Sequence, residues 1–154
     1  MYPLLLVVHS LLRWVVLAAG LVAFGRAVAG MRGRRPWTPG DGRAGQLFVG
    51  ILDLQLLIGI GLYLVFSPIT RAAFQDFGAA MGSPILRFWA VEHSLGMVIA
   101  VALAHVGRVR VRKTTDPVRR HRLAAMFFGL ALILIFATIP WPGMPAGRPL
   151  FRGF

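Results

Sequence analysis

The chain has 154 residues, of which 57% are hydrophobic and 14% are charged, and its formal net charge at pH 7 is +12. This composition is far from that of ordinary soluble domains and is typical of an integral membrane protein. Because the sequence contains no cysteine, disulfides, thiolate metal sites and cysteine nucleophiles are excluded.

Four apolar stretches are each long enough to cross the hydrocarbon core of a bilayer, which needs about 20 residues of helix. In chain order they cover residues 3–24, 46–66, 86–106 and 123–139. The first stretch lacks a basic leader and is interrupted by polar residues, so we expect a retained helix rather than a signal peptide. The sequence therefore predicts an all-α bundle of four transmembrane helices in a single integral membrane domain, residues 1–154.

The segments outside these helices differ in composition. The first connection, residues 26–44, is rich in Gly, Arg and Pro and predicts a flexible turn. In the second connection, Ala72, Phe74 and Phe77 predict a short amphipathic helix at the membrane surface. The tail, residues 140–154, is too rich in Pro and Gly to be helical. We expect it to lie on the outer face or to dock on a partner.

Most of the basic residues lie in the first and third connections. On the other side of the predicted bundle the basic residues are only Arg71, Arg87, Arg148 and Arg152. The positive-inside rule therefore predicts that both termini lie outside, with the basic connections in the cytoplasm next to anionic headgroups. The basic runs contain no recognisable nucleic-acid-binding module, so no nucleic acid is expected as a partner.

The two halves of the chain are similar. The tripeptide His-Ser-Leu at residues 9–11 recurs at residues 93–95, and Gly-Arg closes the first and third apolar helices at residues 25–26 and 107–108. In the predicted topology these two helices run in the same direction, each with its His near the outer surface. This is the pattern of a parallel two-helix duplication about an axis along the membrane normal.

His9 and His93 are predicted to lie at the same depth. At a rise of 1.5 Å per residue, they are about 9 Å and about 10 Å from the starts of their helices. Two imidazoles that face each other across a small bundle could ligate a haem iron or a small metal ion. The alternative is that each is a core histidine with a hydrogen bond to a neighbouring helix. Because ionisable groups within a membrane are costly and usually functional, we favour the ligand pair.

A stripe of small residues follows His93 along one face of the third helix. Its members are Gly96, Ala100, Ala104 and Gly107. Such a stripe leaves room for a flat macrocycle beside the histidine, so Gly96 and Ala100 are predicted to contact the cofactor. The same pattern also allows bare helices to pack closely, and the sequence leaves both interpretations open.

Arg13 follows His9 by one helical turn and is predicted to lie near the middle of the bilayer, where it needs a counter-charge. Asp53, Glu92 and a haem propionate are the alternatives, and a register-fixing buried ion pair is the purely structural one. Gln55 and Tyr63 could hydrogen-bond to a cofactor or quinone, or simply to neighbouring helices.

His105 and His121 form a weaker second pair near the cytoplasmic side. His105 lies about 18 Å along the helix from His93, so it could ligate a second haem. It does not share the face of His93, because twelve residues rotate the side chain by about 120°. His121 lies in the basic sequence RRHR, where a solvated or headgroup-facing side chain is the stronger expectation.

Four segments together resemble small bacterial four-helix membrane proteins of the cytochrome b type: HSLLRW, LDLQLLIGIGLYL, FWAVEHSLGMVIAVALAHVGR and IPWP. The resemblance spans residues 9–142. It implies that His9 and His93 are axial ligands of a haem b in a bacterial inner membrane, and that electrons pass to or from the quinone pool. The better-known family members hold two haems, whereas here only one histidine pair fits the pattern.

The sequence thus predicts a haem b protein for one-electron transfer, either alone or in a larger respiratory or photosynthetic complex. Two alternatives remain: a cofactor-free accessory subunit of a membrane complex, and a proton or metal-ion conductor with a polar pathway. That pathway would use His9, Arg13, Asp53, Glu92 and His93. Hydrolytic chemistry is not expected, because no set of nucleophile, base and orienting group is visible.

Overall fold

A computed structural model gives the structure of residues 1–151. This part of the chain is built from helices and contains no strand. The long helices are α1 (Tyr2–Arg32), α2 (Pro39–Gly61), α6 (His93–Arg112) and α7 (Pro117–Thr138). Between α2 and α6 the chain forms a π-helical turn (Leu62–Phe66), the short helices α3 (Pro68–Gln75), α4 (Phe77–Gly82) and α5 (Pro84–Arg87), and a second π-helical turn (Phe88–Glu92).

Within residues 1–151, four helical segments are long and apolar enough to cross a membrane. They are Tyr2–Arg32, Pro39–Phe66, Pro84–Arg112 and Pro117–Thr138. The predicted all-α four-helix architecture is confirmed. The helices pack in the ring order α1, α2, α6, α7, and α7 closes the ring on α1. We call the end with Met1 and the tail the terminal end, and the end with the first and third connections the basic end.

The first connection is much shorter than predicted. Helix α1 continues to Arg32, and α2 already begins at Pro39. The start of α2 is a capping box: the side chain of Thr38 accepts a hydrogen bond from Asp41 N, and Asp41 Oδ2 accepts one from Thr38 N at 2.9 Å. Pro39 at the first helical position adds to this signal. The predicted flexible turn over residues 26–44 is therefore wrong except for about residues 33–38.

The other long helices also extend beyond their apolar stretches. Helix α7 begins at Pro117 rather than near residue 123, because Asp116 accepts a hydrogen bond from Arg119 N as its N-cap. Helix α6 continues to Arg112, past the predicted end at residue 106. An apolar stretch marks the part of a helix that suits hydrocarbon, whereas capping residues decide where the helix begins and ends.

The core lies between all four long helices, α1, α2, α6 and α7. Phe48 and Phe128 are buried there in an edge-to-face contact, with ring centroids 5.5 Å apart. Val16, Leu132 and Ile135 surround them. In a bilayer the lipid tails are as apolar as these side chains, so close packing rather than release of water stabilises the contact.

Of the short helix predicted in the second connection, Ala72 and Phe74 lie in α3, which ends at Gln75, whereas Phe77 begins the separate helix α4. Ala73 and Ala80 are buried, while Phe74 and Phe77 are exposed and stack on each other with centroids 6.0 Å apart. One face of this segment thus covers the bundle, and its aromatic face is left open.

The tail forms no helix over residues 140–151, as predicted, and it folds back onto the bundle. Arg148 N donates a hydrogen bond to the carbonyl of Pro140 at 3.0 Å, which closes a loop at the end of α7. Phe151 stacks on Trp14 of α1 with ring centroids 5.5 Å apart. Residues 152–154 of the predicted tail, including Arg152, lie outside the described residues.

Candidate functional site

A cavity of about 670 Å³ lies in the terminal half of the bundle. Its walls come from α1, α2, both π-helical turns, α6, the end of α7 and the tail. The polar residues that distinguish it are His9, Arg13, Gln55, Tyr63, His93 and Arg148. Most of the remaining lining is aliphatic, and the volume falls in the range of about 300–1,000 Å³ that is usual for ligand sites.

The structure brings His9 and His93 together at this cavity. Their ring centroids are 6.4 Å apart, and the planes of the two rings are inclined by 72°. The side chains come from α1 and from the first residue of α6, which the second π-helical turn precedes. The two helices therefore place the imidazoles at a common depth, as the arithmetic along the sequence predicts.

His9 accepts a hydrogen bond at its backbone carbonyl, whereas its ring atom Nδ1 receives none from residues 1–151. Gln55 Nε2 donates a hydrogen bond to the carbonyl oxygen of His9 at 3.0 Å. Gly59 of α2 lies against the ring, since a Cβ at this position would be 3.2 Å from His9 Cε1. His9 Nδ1 is buried and has no hydrogen-bond partner among the described residues.

His93 is oriented by α7. Its Nδ1 lies 2.8 Å from the carbonyl oxygen of Thr138. Because a carbonyl can only accept, Nδ1 carries the proton, and Nε2 of the neutral ring has a free lone pair. The rings of Phe88 and Trp89 flank the imidazole, with centroids 5.9 Å and 5.5 Å away.

The two π-helical turns face each other across the terminal end. Tyr63, in the first turn, donates a hydrogen bond to the carbonyl of Ala90 in the second at 2.7 Å. Single π-helical turns within α-helices are frequent at functional sites, because they redirect the side chains that follow. No local signal in the sequence marks either turn. Gln55 and Tyr63 thus bond to neighbouring helices, which is one of the two alternatives weighed for them.

The expected partners of Arg13 are engaged elsewhere. Asp53 Oδ1 lies 2.7 Å from Nε2 of His105, and Glu92 Oε1 lies 2.7 Å from Nε of Arg87. Arg13 instead donates from Nη2 to the carbonyl of Leu150 in the tail at 2.7 Å. The predicted ion pairs of Arg13 with Asp53 or Glu92 are therefore wrong.

Arg13 lies near the end of α7. Its neighbour Trp14 makes an edge-to-face contact with Trp141, with ring centroids 6.4 Å apart. Trp141 comes shortly after Thr138, the last residue of α7, and its ring stacks on Phe136 in the last turns of that helix. Arg13 is thus level with the end of α7, where the tail can reach it.

Gly96 and Ala100 lie at a helix interface. A Cβ on Gly96 would overlap the side chain of Thr138, and one on Gly107 would overlap Phe127, so this stripe packs on α7. Ala100 and Ala104 are fully buried on the same face. Neither Gly96 nor Ala100 lines the cavity. The structure therefore supports close helix packing as the role of the stripe. The room for a ligand comes instead from the gap between α1, α2 and α6.

His105 and His121 are not brought together at the cavity. The side chain of His105 is 48% exposed and pairs with Asp53 on the outer surface of α2 and α6. His121 is completely buried against Gly30 and Trp37, with the Trp37 ring centroid 4.8 Å away. The expectation of a solvated His121 is wrong, because α7 begins at Pro117 and turns this residue into the bundle.

The residues that sequence reasoning missed come from the tail and the second π-helical turn. Arg148 lies over the Trp89 ring, with its guanidinium carbon 5.2 Å from the ring centroid. Both residues line the cavity. The run of Pro and Gly after α7 indicates a non-helical tail, but it does not indicate the return toward α1.

Comparisons with protein-family models, curated proteins and solved structures find no match for this chain.

Proposed function

We propose that this chain binds haem b between His9 and His93 and transfers single electrons in a bacterial inner membrane. The observation that carries the proposal is the 6.4 Å separation of the two ring centroids. An imidazole nitrogen binds a metal at about 2 Å, and the ring centre lies about 1 Å behind it, so rings on opposite sides of one ion have centroids about 6 Å apart.

The protonation of His93 supports ligation. Metal-bound histidines usually donate their second ring N–H to a carbonyl or carboxylate, which fixes the tautomer and the ring orientation. The contact from His93 Nδ1 to Thr138 O has this form and leaves Nε2 with its lone pair. Nδ1 of His9 has no hydrogen-bond partner among residues 1–151, so only His93 of the pair has this orienting hydrogen bond.

Unpartnered polar atoms also support a ligand in the cavity. Among residues 1–151, buried side-chain atoms without a hydrogen-bond partner occur in five residues, and four of these line the cavity. Those four are His9, Arg13, Gln55 and Trp89. Because a buried polar atom without a partner costs about 1–3 kcal/mol, their concentration favours a bound group with polar parts.

In this proposal the haem supplies the redox chemistry, while the chain supplies its surroundings. His9 and His93 hold the iron from two helices, and Thr138 keeps the His93 ring in place. The aliphatic lining excludes water and keeps the polarity low. The membrane location fits exchange of electrons with a quinone or with a larger respiratory or photosynthetic complex.

The experiment is haem titration of the purified protein in detergent, followed by a reduced-minus-oxidised spectrum. We expect a b-type band from the full chain and its loss in both His9→Ala and His93→Ala. His105→Ala is the matched control, since it removes a histidine that lies outside the cavity. Circular dichroism shows whether each variant keeps its helices.

Two results would contradict the proposal. The first is the absence of a b-type band from folded full-length protein supplied with haem, which would favour an accessory or structural role. The second is an equal loss of haem in His105→Ala and His93→Ala, because the pair assigned here would then not be the ligand pair.

A further inference from the structure

We infer that Arg13 and the tail residue Arg148 together bind an acidic group of the ligand in the cavity, so that the tail is part of the binding site. This inference rests on the proposed function, in which the ligand is haem b. The acidic groups are then its two propionate carboxylates.

Among residues 1–151, no acidic group forms an ion pair with Arg13. Its residue surface is only 8% exposed, and its Nε is buried without a hydrogen-bond partner. Within the part of the chain that the structure describes, its guanidinium donates a hydrogen bond only to the neutral carbonyl of Leu150 and lies 5.1 Å from the centroid of the Trp14 ring. A buried charge without an opposite charge is strongly destabilising, so an anion at this position is favoured.

No acidic side chain of the chain takes this role. The sequence has five acidic residues in all, and each is engaged elsewhere. Asp41 pairs with Arg26 and Arg35, Asp53 with His105, and Glu92 with Arg87, while Asp76 and Asp116 cap α4 and α7. None of these five side chains is left to neutralise Arg13, and we assign that role to the acidic group of the ligand.

Arg148 adds a second guanidinium to the same cavity. The tail returns toward α1 because Leu150 O accepts hydrogen bonds from Arg13 Nη2 at 2.7 Å and from Trp14 Nε1 at 3.1 Å. Two residues earlier, Arg148 rests on the Trp89 ring at the cavity wall. The guanidinium of Arg148 makes no ion pair with an acidic side chain, so it remains available for an anion.

The position of these charges matches an amphiphilic ligand. Arg13 is one turn from His9, about 6 Å along α1, so the cations lie beside the proposed iron site. The rest of the cavity wall is mainly aliphatic. A large apolar ring that carries carboxylates matches both the two cations and the aliphatic wall of the cavity. Hydrogen bonds between a guanidinium and a carboxylate are among the strong hydrogen bonds in proteins. The phosphate of an anionic lipid offers the same charge without the ring.

The test compares haemin with haemin dimethyl ester, which keeps the iron and the ring but has no carboxylates. Affinities are measured by titration of the Soret band for the wild-type protein, Arg148→Gln and Arg13→Gln in phosphatidylcholine nanodiscs. Arg71→Gln is the control, since Arg71 lies at the same end of the bundle and does not line the cavity. We expect the wild type and Arg71→Gln to prefer the free acid by tenfold or more, which is about 1.4 kcal/mol. Arg148→Gln should reduce that preference several-fold, because it removes one of the two cations.

The possible failures are distinguishable. If neither haem form binds, the proposed function itself fails. If both forms bind wild type equally, or if Arg148→Gln keeps the full preference, only this inference is overturned. Repeating the titration in phosphatidylglycerol nanodiscs separates the two sources of anion. One result would assign the two arginines to lipid phosphate and overturn the assignment to carboxylates. In that result the wild type loses its preference for the free acid in phosphatidylglycerol, and Arg148→Gln binds haemin with the same affinity in both lipids. Should Arg13→Gln fail to fold, the Arg148→Gln result alone decides.

Discussion

The Nδ1 atom of His93 donates a hydrogen bond to the carbonyl oxygen of Thr138 at 2.8 Å, and this contact ties the start of α6 to the end of α7. One turn further along α6, Gly96 lies against the side chain of the same threonine. The orientation of the imidazole and the close packing of the two helices therefore depend on one residue of α7.

The first prediction concerns Gly96→Ala. The added methyl group overlaps the side chain of Thr138, so α7 must move away from α6. Overpacking of this kind costs about 1–3 kcal/mol, and it also weakens the hydrogen bond that orients His93. We expect a lower midpoint of thermal unfolding in detergent and weaker haem binding.

The control for Gly96→Ala is Gly50→Ala, where an added Cβ has nothing within 4 Å. Alanine there should leave stability unchanged or raise it slightly, because it favours the helical backbone over glycine. If the two variants unfold at the same temperature, the packing of Gly96 on Thr138 is not as described.

A second prediction concerns the contact between Gly30 and His121. A Cβ at Gly30 would overlap the imidazole, which is completely buried with the Trp37 ring centroid 4.8 Å away. Gly30→Ala should destabilise the basic end by about 1–3 kcal/mol, because the buried ring has no room to move. Chemical unfolding followed by tryptophan fluorescence measures this change.

A double-mutant cycle separates this contact from a general helix effect. The double variant Gly30→Ala with His121→Ala should be less destabilised than the sum of the single variants, since the second change removes the overlap. Gly25→Ala, also in α1 and with nothing near an added Cβ, should be neutral. Strictly additive free energies would refute the contact.

The third prediction concerns Asp41 at the start of α2. Its carboxylate is buried and accepts hydrogen bonds from Thr38 N at 2.9 Å, Thr38 Oγ1 at 2.7 Å and Arg26 Nε at 3.0 Å. Asp41→Ala removes all three, and loss of such a cap costs about 0.5–2 kcal/mol. The exposed cap Asp116, which accepts only from Arg119 N, is the comparison. Asp116→Ala should cost less in denaturant unfolding, and the reverse order would argue against this account of the capping box.

The fourth prediction concerns the pair of His105 and Asp53. Both side chains are partly exposed, at 48% and 40%, so the pair is screened and contributes about 0–1 kcal/mol. Asp53→Ala should lower stability only slightly and leave haem titration unchanged, because neither residue lines the cavity. Loss of haem comparable with that of His9→Ala would show that the polar pair on the outer surface takes part in the site.

The sequence allowed the number of membrane-spanning helices and the meeting of His9 with His93 to be predicted. Both predictions depend on quantities that add up along the chain, namely the length of apolar helix and the rise per residue. The helix ends were predicted less well. The capping signals at Thr38, Asp41 and Asp116 are present in the sequence, but they lie outside the apolar stretches, so hydropathy does not mark these helix ends.

The partners of Arg13 could not be predicted in the same way. Several carboxylates were available by depth, and depth does not distinguish between helix faces. The rotation of α2 and α6 pairs Asp53 with His105, and the folded tail brings the carbonyl of Leu150 to Arg13. The partners of Arg13 therefore depend on packing between residues far apart in the chain, and no local sequence pattern indicates that packing.

Hydropathy and helical rise by themselves determined that this protein is a bundle of four apolar helices with two histidines at one depth, because a bilayer imposes a length on every crossing segment. Only the tertiary structure decided what surrounds those histidines: the two π-helical turns, the contact of His93 with Thr138, the packed stripe at Gly96, and the return of Arg148 to the cavity. These features depend on how helices rotate and lean against one another, which is set by many weak contacts between residues far apart in the chain.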